Sequence, residues 1–218
     1  MEALRQRLRQ VALAEMNSDP AHDLAHLDRV WENARTIASD MANLDMTALL
    51  AAAYLHDLIN LPKASPNRAQ ASTLSAKRAA KLLPTLSLTK GQVAATCHAI
   101  EAHSFSAGIM PETNEARILR DADRLDALGA IGIARWFATS NEMGRPFYDP
   151  DDPFAKNRTP DDRRFALDHW RMKLQALSGG MCTKKGRIMA QERVDHMVDF
   201  LAQLATELGT ELPGDWRA

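Results

Sequence analysis

An all-α fold is predicted for this 218-residue chain by three observations. Apolar residues recur at the three- and four-residue spacing that lines one helix face. Helix-starting and helix-breaking residues punctuate these runs. No alternating, period-two strand pattern of any length occurs. The elements follow in order. The first helix is expected from Glu2 to about Met16, with Leu4, Leu8, Val11 and Leu13 marking roughly one face. A second runs from about Leu24 to Ala42. Asp45 reads as the N-cap of a third, through "MTALLAAAYLHD". The turn "NLPKASPN" follows. Ser65-Pro66 then opens the next helix, with Pro at a tolerated first position, and it ends near Pro84. "TKGQ", Thr89 to Gln92, matches a capping box and starts a helix to about His103. After "SFSAGIMPE", one long helix is expected from about Asn114 through "RILRDADRLDALGAIGIARWF".

The stretch 143–162 is rich in Pro and Asp and is the longest irregular segment expected. Loops of that length are usually functional or mobile. Two helices close the chain, about Asp162 to Leu177 and about Lys184 to Leu208, with "SGG" at 178–180 between them. Trp136, Phe137 and Trp170 read as core, and His196 as surface. The length suits a single domain, with a core over about 20–140 and a C-terminal helical extension over about 160–210.

Composition narrows the function classes. The chain is 45% hydrophobic and 25% charged, which is ordinary for a globular protein. A net charge of −1 gives no reason to expect extended nucleic-acid or anionic-membrane binding. Cys97 and Cys182 stand far apart and in no CxxC arrangement, so a reducing compartment fits better than a disulfide scaffold. The N-terminal residues lack the continuous apolar core of a signal peptide. No apolar run is long enough to span a bilayer. A cytoplasmic protein is expected, and a homo-oligomer is compatible with all of this.

His and Asp concentrate in four places: "HDLAH" at 22–26, "HD" at 56–57, "HAIEAH" at 98–103 and "DADRLD" at 121–126. Each lies on or beside a separate predicted helix. Packed helices can turn such residues into one bundle interior and build a metal site there. Imidazole and carboxylate together suit Zn, Mn, Fe, Co or Ni. The adjacent His56 and Asp57 raise a question of their own. Buried, they are costly unless a partner or a cation compensates them. Neighbours on a helix also diverge by about 100°, so both reach one ion only if the helix end is bent.

The order His26, His56-Asp57, Asp123 on successive helices resembles the HD-domain superfamily of metal-dependent phosphohydrolases. "HDLAHLDRVWENA", "LLAAAYLHDLIN", "HSFSAG" and "RILRDADRLDALGAIGIARWF" look like a subgroup of small bacterial HD hydrolases, over about residues 20–140. The resemblance implies that His26, His56, Asp57 and Asp123 hold one divalent ion, with Mn, Co, Ni, Mg, Fe and Zn all open. It implies a small phosphate substrate, most simply a nucleotide, and hydrolysis of an ester or anhydride, such as a nucleoside triphosphate to monophosphate and pyrophosphate. Two other functions sit beside this one. A non-catalytic nucleotide sensor would keep the fold, although four intact ligands exceed its needs. A di-iron oxygenase on the same fold would need further histidines.

Hydrolysis needs positive charge on the phosphate oxygens. Lys63 and Arg68, near a predicted helix N-terminus that itself favours anions, are the first candidates. Arg124 directly follows Asp123, and His169 and Lys173 form an i, i+4 pair. Proton transfer is less obvious. Some members of the superfamily carry Glu three residues after the HD aspartate, where this chain has Asn60. Asp57, His22, His98 and His103 are the groups left to move a proton, with at least one of His98 and His103 expected to line the pocket.

Overall fold

The structure, a computed structural model, describes residues 1–15, 23–61 and 67–217. Ser65 and Pro66, expected to open a helix, lie outside the described residues, as do His22 and Lys63. Every regular element among the described residues is helical. The chain divides into two compact units, Met1–Asp123 and Arg124–Ala218.

The first unit is organised around one helix. Helix α1 spans Glu2–Glu15, α2 Leu24–Ala38, α3 Met46–Leu55, α4 Ala71–Leu82 and α5 Lys90–His103. Asp45 caps α3 as expected, its carboxylate accepting from Thr47 N and Ala48 N at 3.0 Å each. All residues of α3 from Ala48 to Leu55 are buried. Such a helix is apolar all round because it is surrounded, here by α1, α2, α4 and α5. Thr89 and Gln92 form the predicted capping box of α5. Helix α1 is held by charge as well as packing. Asp28 accepts from Tyr54 Oη at 2.5 Å and Arg5 Nη2 at 3.1 Å, and also pairs with Arg9. These groups join α1, α2 and α3, and the arginines with the Tyr54 hydroxyl hold Asp28 below the usual carboxylate range against the opposing effect of burial.

Three expected helices end elsewhere. Helix α2 stops at Ala38 rather than Ala42, and Asn43, at φ +58°, turns the chain toward Asp45. The predicted long helix from Asn114 breaks into α6, Asn114–Leu125, and α7, Gly129–Glu142. At the break the amides of Ala127 and Leu128 bond three residues back, to Arg124 O and Leu125 O, and Gly129 takes φ +72°. The helix expected over about 162–177 shrinks to a late start and a π-helical turn, Trp170–Leu174. The buried Asp168 explains the delay. It accepts Arg158 through both oxygens, at 2.5 and 3.0 Å, and the amide of Asp161 at 2.7 Å, which holds the preceding residues in turns. The same carboxylate orders part of the irregular 143–162 stretch. Helix α8, Lys184–Glu207, starts on Thr183 and packs on α7.

The break carries a stability prediction. A Cβ at Gly132 would lie 2.4 Å from the carbonyl oxygen of Ala127, and backbone cannot give way as a side chain can. Gly132→Ala is expected to destabilise the fold by about 1–3 kcal/mol, read as a lower urea midpoint. An unchanged midpoint would show that the turn between α6 and α7 has slack.

Candidate metal centre

Three helices of the first unit bring the His and Asp clusters together. His26 lies in the first turn of α2, where the Asp23 side chain accepts its amide at 2.8 Å. His56 and Asp57 sit at the C-terminal end of α3. The helix stops at Leu55 and the backbone turns through His56 and Asp57. That turn answers the geometric question their adjacency posed: both side chains reach the same point, with His56 Nε2 3.6 Å from Asp57 Oδ2. Asp123 comes from α6, held beside α2 by the Asn33 amide, which donates to Ala122 O at 3.2 Å.

The distances suit one ion. Two donor atoms each about 2.1 Å from a cation lie about 3.0 Å apart at a right angle and about 4.2 Å apart across it. His26 Nε2 is 3.3 Å from His56 Nε2, 3.6 Å from Asp123 Oδ1 and 3.9 Å from Asp57 Oδ2, and His56 Nε2 is 3.7 Å from Asp123 Oδ1. All fall in that interval. The imidazoles are oriented for the task. His56 Nδ1 lies 2.9 Å from Ala53 O, so it keeps its proton there, and the neutral ring that a metal takes presents its Nε2 lone pair to the cluster. His103 repeats the arrangement, with Nδ1 2.6 Å from Ile100 O. Its Nε2 is 3.7 Å from the other oxygen of Asp57, Oδ1. Asp57 therefore presents one oxygen to His26 and His56 and the other to His103.

Electrostatics favour a cation at this point. Two imidazole nitrogens facing each other at 3.3 Å repel unless a proton or a cation lies between them. Burial opposes charge on His56, yet Asp57 and Asp123 outweigh it and raise its pKa from 6.5 to about 9. Burial likewise pushes Asp123 up, and His56 more than offsets it, so that Asp123 falls to about 2. The pocket thus recruits positive charge, and a divalent ion fits the donor set better than a proton. The side chains of Asp57 and Asp123 are 20% and 29% exposed, and those of His26 and His56 2% and 0%. Solvent and ligands meet the cluster from its carboxylate side.

The remaining candidates separate. His103 joins the cluster. His98 does other work in the structure: its Nε2 accepts the amide of Glu112 at 3.0 Å and fixes the loop ahead of α6. Arg68 donates to Leu61 O at 2.6 Å, bracing the chain after Asp57. Asn60 is half-buried in that same segment. In the second unit, Arg124 donates to Gly180 O at 2.5 Å. His169 and Lys173 share one carboxylate, Asp162, at 2.9 and 2.7 Å. Phe137 is half-buried rather than core, and lines an apolar cavity of about 210 Å³ with Phe147, Leu167 and Phe200. Arg120 is buried on α6 one turn before Asp123, where a lone Arg in a charged helical segment gives no sequence signal.

An all-helical unit closing on a buried His, His-Asp, Asp cluster is the arrangement that the clusters' order suggested. The family model for the HD domain matches residues 23–128, and the chain belongs to the HD-domain superfamily. More particularly, it is 30% identical over 191 residues to YpgQ of Bacillus subtilis, covering 86% of this chain and 84% of that protein. The crystal structure of YpgQ in complex with ADP superposes with a TM-score of 0.73 at 28% identity, covering 97% of this chain and 96% of that one. A structure named as an HD-superfamily hydrolase from Bacillus thuringiensis gives 0.74 at 27% identity, covering 96% and 99%. Among the described residues no helix is long and apolar enough to cross a membrane.

Proposed function

We propose that this chain is a divalent-metal-dependent phosphohydrolase acting on nucleotides. The observation that carries the reading is that the Asp57 and Asp123 carboxylates both come within 3.6–3.9 Å of His26 Nε2 and His56 Nε2, which are themselves 3.3 Å apart. These four would hold the ion, which when bound supplies Lewis acidity toward a phosphoryl oxygen and makes water acidic enough to attack at neutral pH. The chain's own residues do the rest. His103 Nε2, beside Asp57 Oδ1, is placed to take up and return a proton, with Nδ1 locked on Ile100 O. It fills the role that Asn60 cannot. Lys63 and Arg68 are proposed to steady phosphate oxygens from the segment after Asp57. The ADP complex of YpgQ supports a nucleotide as the substrate class, and cleavage of a nucleoside triphosphate to monophosphate and pyrophosphate is the specific reaction we favour.

A dinuclear, oxidative site is disfavoured by ligand arithmetic. His56 has a single free nitrogen, and it faces His26. Among the described residues His56, Asp57 and His103 form a second group of donor atoms, but His56 can give that nitrogen to one ion only, which leaves Asp57 and His103 for the other. The test is direct. Metal-stripped protein reloaded separately with Mn, Co, Ni, Mg, Fe or Zn should turn over at least one nucleotide, with phosphate and pyrophosphate assayed separately. Binding without turnover for every metal would favour a sensor.

A further inference from the structure

Arg120 is a buried cation of the first unit. The residue is 8% exposed. It makes one hydrogen bond, from Nη2 to the Ile109 carbonyl at 3.1 Å, and its buried Nε has no acceptor. No carboxylate among the described residues pairs with it. A guanidinium carries five N–H donors and cannot lose its charge. Burying one with a single neutral partner is expensive, and an unsatisfied buried donor asks for an explanation.

Its position supplies one. Arg120 and Asp123 are three residues apart on α6, so their side chains leave the helix about 60° apart and one turn along. Ile109 lies in the segment 104–113, which runs from His103 to α6. That segment is braced from its far end by His98 on the Glu112 amide. Arg120 thus stands between the element bearing Asp123 and the segment that follows His103. We propose that Arg120 binds a phosphoryl oxygen of the substrate there, in a subsite built by α6 and the 104–113 segment. The proposal rests on the phosphohydrolase reading and deepens it. An oxyanion matches the unpartnered donors: phosphate takes guanidinium N–H groups two at a time, at charge-assisted strength. Fastening the segment to α6 is a lesser role. It needs one N–H, which a lysine or glutamine supplies without burying an unpaired Nε.

The experiment uses the full chain with magnesium and inorganic pyrophosphate as the probe. Arg120→Gln should weaken pyrophosphate binding about tenfold or more, each tenfold being about 1.4 kcal/mol. Metal affinity should stay as in the wild type, and Arg120→Lys should recover part of the loss. Arg117→Gln, on the exposed face of the same helix, should change nothing. Wild-type pyrophosphate affinity in folded Arg120→Gln would overturn the proposal. A second measurement needs no variant: the Arg120 Nε–H resonance of the wild-type protein should shift on adding pyrophosphate, and a resonance that stays put overturns the subsite even if Arg120→Gln misfolds. The nucleotide screen keeps the two ideas apart. A pyrophosphate-dependent shift in a protein that hydrolyses no nucleotide sinks the enzyme reading and leaves the anion subsite standing.

Discussion

A His56→Ala, Asp57→Ala double variant is expected to bind no divalent ion at working concentrations and to turn over no nucleotide, with its helical content kept. The two residues follow directly on α3; His56 lies within 3.7 Å of both His26 and Asp123, and Asp57 within 3.9 Å of both His26 and His56. Losing even an outer partner of a metal ligand costs about 10–100-fold in affinity. Losing two ligands should exceed that, so metal content after gel filtration should fall to background. Single His26→Ala and Asp123→Ala variants should move the same way. The capping of α3 by Asp45 and its packing from Ala48 to Leu55 do not depend on the two side chains, so far-ultraviolet circular dichroism should change little. A double variant that retained one ion per chain would remove the metal centre from its proposed place.

The second large effect is a dependence of metal affinity on pH. In the metal-free protein, His56 holds a proton up to about pH 9, because Asp57 and Asp123 overcome its burial. A metal takes only the neutral imidazole. Binding below pH 9 must therefore expel that proton, and affinity should rise about tenfold per pH unit from roughly pH 7 to 9, then level off. Stability should run the other way without metal. A raised native pKa stabilises fully below the unfolded value of 6.5 and is lost as pH rises through about 9. The depressed Asp123 is the other half of the same pair and is counted once; its share disappears only near pH 2. Metal-free protein should thus melt lower at pH 9 than at pH 6.5, while metal binding tightens over the same interval. Titration calorimetry in buffers of different ionisation enthalpy counts the proton. Equal affinities at pH 6.5 and 8.5 would mean that His56 is already neutral before the metal arrives.

Much of the centre was legible because its parts are chemically conspicuous. His and Asp pairs are rare in apolar helices, and the family resemblance that their order carries implied His26, His56, Asp57 and Asp123 as one set. The helix signals at Asp45 and Thr89 are short-range, and they are where the structure uses them. Longer-range determinants were hidden. "LDALGAIG" keeps helical periodicity on both sides of the break, so only the backbone at Gly129 and the approach of Gly132 to Ala127 reveal it. Asp168 delays a helix by bonding Arg158 ten residues away. The choice between His98 and His103 was open because five residues separate them by about 140°, and packing against α3 decides which one meets Asp57. Arg120 looked like any charge on an amphipathic helix until its burial was known.

The enclosure of α3 also bears on how the protein loses and regains its ion. Amides in a helix walled in on every side exchange with solvent hydrogen only when the whole unit opens. His56 and Asp57 continue directly from that enclosed helix. A chelator should therefore strip the ion while α3 keeps its deuterium protection. Reloading then becomes a matter of diffusion and proton release, with no refolding delay, and the rate at which activity returns should track metal concentration rather than time spent empty.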